Sequence, residues 1–175
     1  ANLINHPIET AINNKFINEA KQILADHKTL KVVGITGSYG KTSTKFLLRD
    51  ILSVRYNVLA TPSSFNTTMG VTRVIREQLM PSHQVFIAEM GARHVGDIKE
   101  LVDLVHPKYG LITSVGAQHL ETFGSLDTVL RTKLELADAV KGKGPVFLNL
   151  DSEPLKTANL QQDSISYGIN GEDYT

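Results

Sequence analysis

From residue 31 onward, short β-rich runs alternate strictly with helical patterns, and this alternation limits the fold more than any other feature of the chain. The runs at 31–36, 57–61, 84–90, 109–115, 145–150 and 164–167 are the expected strands. Apolar residues at helical spacing fill the intervals at 41–54, 70–80, 95–105, 125–140 and 152–160. Strands joined through helices lie parallel in one open sheet, so the expected class is α/β, a mainly parallel sheet flanked by helices. Ahead of the first strand, Ile8, Ile12, Phe16, Ala20, Ile23 and Leu24 recur at helical spacing between Pro7 and His27. Residues 1–30 therefore read as an amino-terminal helix or linker from a preceding region, and 31–175 as the α/β domain.

Open parallel sheets bind ligands beyond the carboxyl ends of their strands. Gly37, Glu89 and Gly116 each fall at or just after such an end, so three loops are expected to converge on one edge. The first of these loops is the most informative. The run Gly37-Ser38-Tyr39-Gly40-Lys41-Thr42-Ser43 follows a strand and opens a helix, the context that a phosphate-binding loop requires. Small residues let backbone N–H groups surround phosphate oxygens, and the helix N-terminus adds its dipole. Lys41 supplies a mobile positive charge and Thr42 a hydroxyl suited to Mg²⁺. One position departs from the common G-x-x-x-x-G-K-[ST] pattern: Ile35 stands where the first glycine is expected, and Gly34 lies one residue early. The structural alternative is a glycine turn that only caps a helix.

Composition removes several function classes. Eighteen Lys and Arg balance eighteen Asp and Glu, so no global positive field gathers nucleic acid or an anionic membrane. With no cysteine there is no disulfide, thiolate metal site or cysteine nucleophile, which suits a reducing compartment, and a cytoplasmic location is expected. No apolar run approaches the roughly 20 residues a membrane helix needs. The chain opens on Ala1 rather than Met, as a segment of a longer protein would. Neither a guanine-reading N-K-x-D stretch nor an L-S-G-G-Q signature occurs, which argues against a GTPase and a transport ATPase.

Four stretches in order, T-G-S-Y-G-K-T-S at 36–43, E-M-G-A at 89–92, A-Q-H-L-E-T-F-G-S at 117–125 and R-T-K-L-E at 131–135, resemble the Mur ligase family. Asn149-Leu150-Asp151 and Tyr167-Gly168 extend the likeness, which runs from about Val32 to Tyr174. Within the family, the E-M-G-A and H-L-E-x-F-G runs are most similar to the branch that adds D-alanyl-D-alanine to the UDP-N-acetylmuramoyl-tripeptide in peptidoglycan synthesis. The resemblance implies a P-loop central domain between an amino-terminal substrate domain and a carboxyl-terminal Rossmann-like domain. It also implies ATP-dependent amide ligation through an acyl phosphate, with ATP and up to two Mg²⁺ ions. Carried across by position, Thr42 and Glu89 match magnesium ligands, and His119 the histidine associated with a second ion. Lys133 matches a lysine that the family carbamylates into an anionic oxygen donor. Lys41, His119 and Lys133 are thus the implied catalytic residues, and the loop 37–43 with Asn66, Asn149 and Asp151 the implied nucleotide-binding set.

Bland readings stand beside these. Lys133 reads equally as a solvated helix lysine, His119 as a surface or core histidine, and Asn149 and Asp151 as residues that end a strand and cap a helix. Glu135 does not share a helical face with Lys133 and is expected to support a neighbouring element. Glu121 is as readily a loop brace as a metal contact, and Arg73, Arg76, Arg93, His94 and Arg131 are cations without an assigned partner. The asparagine loop at 61–70 keeps Asn66 but carries Ser63, Ser64, Thr67 and Thr72 where the branch commonly has G-N-x-N-N followed by proline. That departure keeps other acceptors open, folylpolyglutamate or another amino-acid or peptide ligation among them, as well as a nucleotide-binding regulatory module.

Overall fold

The computed structural model describes residues 2–158 and 164–169, with side chains described at residue 7 and from residue 9 onward. Within them lies one six-stranded sheet in the order β2-β3-β1-β4-β5-β6. The strands are β1 (Lys31–Thr36), β2 (Val58–Ala60), β3 (Val85–Glu89), β4 (Tyr109–Ile112), β5 (Val146–Asn149) and β6 (Ser164–Tyr167). Every pairing is parallel, so the sheet is wholly and not just mainly parallel. The two central strands explain why: β3 is buried at all five positions and β1 at five of six, the continuous apolar pattern of strands covered on both faces.

Seven helices connect them among the described residues: α1 (Asn2–Asp26), α2 (Lys41–Ser53), α3 (Thr68–Gln78), α4 (Asp97–Val105), α5 (Leu120–Phe123), α6 (Leu126–Val140) and α7 (Glu153–Lys156). One face of the sheet carries α1, α3, α4 and α6 around a core that includes Ala20, Val71, Ile75, Phe86, Leu101 and Leu136. Leu48 and Leu52 of α2 pack on the other face against Val33, Ile35, Val85 and Ile87. The amino-terminal helix lies along α3. There Arg76 bonds Glu19 at 2.8 Å and its guanidinium sits 3.9 Å from the Phe16 ring centroid, while Ile12 remains 45% exposed. Ile8's side chain, the end of the expected helix at 159–160 and the extension of the family likeness past residue 169 lie outside the described residues.

The boundaries moved for local reasons. Strand β4 stops at Ile112 because Thr113 and Ser114 turn their hydroxyls onto the Tyr39 carbonyl, at 2.6 and 3.1 Å. Helix α3 starts at Thr68 because the Thr67 side chain accepts from the Gly70 N–H, a side-chain N-cap. Helix α4 starts at Asp97, whose carboxylate accepts from the Arg93 and His94 N–H groups at 2.7 and 2.9 Å.

Candidate active site

Strand β1 lies between β3 and β4, so its carboxyl end faces the loops that follow both. The phosphate loop at this end is held by β4's extension rather than by its own glycines alone. Ser38 N–H donates to the Ser114 carbonyl at 2.8 Å and Tyr39 N–H to the Ser114 hydroxyl at 3.0 Å. The buried Ser38 hydroxyl donates to the Gly116 carbonyl at 3.1 Å and accepts from the Gly116 N–H at 3.0 Å. With 38 and 39 occupied, the backbone donors without an intrahelical partner belong to Gly40 and the first turn of α2, where Lys41, Thr42 and Ser43 lie.

Glycine is required at the loop's first turn. Gly37 has φ 146°, and a Cβ there would sit 2.1 Å from Thr113 Oγ1. The early Gly34 serves packing instead. A Cβ on it would meet Leu136 at 2.7 Å and Met90 at 2.9 Å, so its bare backbone lets α6 approach the sheet.

Glu89, at the end of β3 and 1% exposed, is the hub below the loop. Thr42 Oγ1 lies 3.1 and 3.0 Å from its two carboxylate oxygens, Asn66 donates to Oε1 at 3.2 Å, and Lys45 donates to Oε2 at 2.7 Å. The Glu89 N–H is bound by Thr61 Oγ1 at 3.1 Å. Burial pushes the Glu89 carboxyl up, but the donors Lys45, Asn66 and Thr42 outweigh it and hold the group below the usual carboxylate value. Lys41 bonds the Gly37 and Ser38 carbonyls at 2.7 and 3.0 Å, and burial lowers its pKa against the opposing pull of Glu89.

A cavity of about 520 Å³ opens beside this hub, lined by Lys41, Asn66, Arg93, His94, Asp97 and His119 among others. His119 caps α5 in a left-handed conformation, φ 58°, and the Thr122 hydroxyl one turn on donates to the Arg93 carbonyl, tying the two loops that line the cavity. Lys133 is only 2% exposed, so the solvated-lysine reading fails. Burial, with Lys41 adding repulsion, lowers its pKa to about 8 against the pull of Asp97 and Glu135. Glu135 accepts from the Lys99 N–H at 2.8 Å and so braces the start of α4, the supporting role expected of it. Asn149 donates to the Thr113 carbonyl at 2.9 Å and accepts from the Asp151 N–H at 3.0 Å, so its amide fastens the end of β5. Asp151 accepts from the Ile169 N–H at 2.8 Å, and neither residue lines the cavity. Lys45 went unnoticed in the sequence, although its spacing of four from Lys41 puts both on one helical face.

Residues 35–175 match a family described as the Mur ligase middle domain. The chain belongs to the Mur ligase family. Among similar proteins are the UDP-N-acetylmuramoyl-tripeptide–D-alanyl-D-alanine ligases of Mycobacterium leprae, 43% identical over 70% of this chain, and of Synechocystis, 38% identical over 83%. The chain spans about a quarter to a third of the length of these relatives, 23% of the first and 32% of the second. Of the solved structures, the MurF ligase of Thermotoga maritima in complex with ADP superposes with a TM-score of 0.84 at 28% identity, over 91% of this chain and 37% of that one. A pseudomurein peptide ligase type C from Methanothermus fervidus shares the Mur ligase fold at a TM-score of 0.64 and 24% identity, over 81% of this chain and 27% of that one.

Proposed function

We propose that the chain is the nucleotide-binding domain of an ATP-dependent carbon–nitrogen ligase that adds D-alanyl-D-alanine to a UDP-N-acetylmuramoyl-tripeptide in the cytoplasm. The observation that carries this reading is the meeting of Lys41, Thr42, Asn66 and Glu89 under a braced phosphate loop, with a cavity beside it. The names of the relatives supply the substrates, and the ADP complex of the Thermotoga enzyme supports the nucleotide. Residues 1–30 are then the link from a preceding substrate domain, and the amine and carboxylate sites are completed by flanking domains of the longer protein.

In this reaction a carboxylate oxygen attacks the γ-phosphorus of ATP and the bond to ADP breaks, leaving an acyl phosphate. The incoming amine attacks the acyl carbon, loses a proton and expels phosphate. The chain's part is to bind and orient. N–H groups at the start of α2 take phosphate oxygens, and Lys41 leaves the Gly37 and Ser38 carbonyls to follow the charge on the transferring group. The donor set at Glu89 and Thr42 is oxygen only, which fits Mg²⁺. Held there, Mg²⁺ would offset the mutual repulsion of triphosphate and carboxylate. A second ion would be held by His119 with Lys133, once its amine carries a carbamate. Burial, with repulsion from Lys41, brings that amine into the range where a neutral fraction exists near neutral pH.

Calorimetric titration with a non-hydrolysable ATP analogue tests the reading. Mg²⁺-dependent binding is expected, weakened at least ~10-fold in Lys41→Ala; a wild-type chain with no affinity under any metal condition would overturn it.

A further inference from the structure

Lys45 is among the largest fully buried side chains of the described residues, with 0% exposure, and the reaction outlined above does not use it. Buried lysines are rare unless paired. Its Nζ reaches Glu89 Oε2 at 2.7 Å and the Pro62 carbonyl at 3.2 Å, and sits 4.6 Å from the Phe46 ring centroid. Lys45 therefore ties three elements together: helix α2, the end of β3, and the loop whose Thr61 and Asn66 also hold Glu89. The result is a carboxylate with each oxygen in contact with two donor groups and its charge balanced internally.

This balance decides what a divalent cation meets. Among the described residues no group of three or more His, Cys, Asp or Glu side chains is placed to hold a metal. A cation arriving alone would find one carboxylate, already neutralised at 2.7 Å by an ammonium that repels it. A nucleotide brings the missing negative charge and oxygen ligands. We propose that Lys45 is a positioning residue that fixes Glu89 for the metal and makes metal binding there conditional on the nucleotide. The proposal rests on the nucleotide site described above.

The test is Mn²⁺ titration, read by the electron paramagnetic resonance of free Mn²⁺, with and without β,γ-methylene-ATP, on wild type and Lys45→Met. In the wild type the nucleotide should raise Mn²⁺ affinity at least ~10-fold. In Lys45→Met, affinity for Mn²⁺ alone should rise at least ~10-fold and the enhancement by nucleotide shrink correspondingly. Mn²⁺ alone should also restore the melting temperature that the variant loses, and should not do so in Lys45→Met/Glu89→Gln. A folded Lys45→Met with wild-type coupling overturns the proposal, as does an unfolded one that Mn²⁺ alone fails to refold. A wild type whose Mn²⁺ affinity ignores the nucleotide is different: it refutes the nucleotide site itself.

Discussion

Burial, more than any neighbour, brings Lys133 down to about 8 from the ordinary 10.5. Below pH 8 the folded chain carries this ammonium in a site that disfavours it, whereas the unfolded chain carries it at no cost. Between about 8 and 10.5 the folded amine is neutral while the unfolded one still holds its proton, so stability should rise with pH across that window. Lys133→Met should remove this dependence and raise the unfolding free energy at pH 7 by ~1–3 kcal/mol, measured by urea denaturation. A flat profile in the wild type would contradict the assigned burial. The motif singled out Lys133, but the sequence carried no sign of its burial. Lys45 shows the converse failure. The phosphate-loop pattern ends three residues earlier, at Thr42, and nothing in the pattern says that the next lysine on that helical face points inward at Glu89.

At the scale of elements, the strand–loop–helix unit from β1 to α2 could be read almost to the residue, because glycine and Lys41 mark its joints. The brace that holds it could not. Thr113 and Ser114 looked like the last residues of a strand, and their contacts with residues 36 to 39 cross more than seventy positions of sequence. The four-residue α5 escaped for another reason: one turn shows no periodicity, and His119 adopts a left-handed conformation that no apolar pattern reports. The brace makes a sharp prediction. Gly37→Ala would place a methyl group 2.1 Å from Thr113 Oγ1 in a backbone region that favours glycine. It should cost ~2–4 kcal/mol in chemical denaturation and weaken nucleotide binding with it. Full stability in this variant would mean that the loop is not pinned to Thr113.

For the molecule as a whole, the order β2-β3-β1-β4-β5-β6 is what turns scattered motifs into one site. Placing β1 between β3 and β4 brings residues 37–42, Glu89 and the 113–119 loop to the same sheet edge, and the four family stretches separated by nearly a hundred residues become neighbours. Asn149 and Asp151 belong to the same edge but lie one strand further out, fastening β5 instead of facing the cavity. The edge gathers polar side chains suited to phosphates: Lys41, Thr42, Asn66, Arg93 and His119. Recognition of a carboxylate and an amine at once needs a wall facing it, and the chain covers only 23% to 32% of its relatives in this family. Nucleotide binding and ligation should therefore separate. The 175 residues alone should bind the ATP analogue yet release no phosphate in response to UDP-N-acetylmuramoyl-tripeptide and D-alanyl-D-alanine. The longer protein should release phosphate only when ATP, tripeptide and dipeptide are all present. Release by the longer protein that ignores the dipeptide would point to a nucleotide-driven regulator, and release that follows a different amine would move the acceptor assignment to that amine.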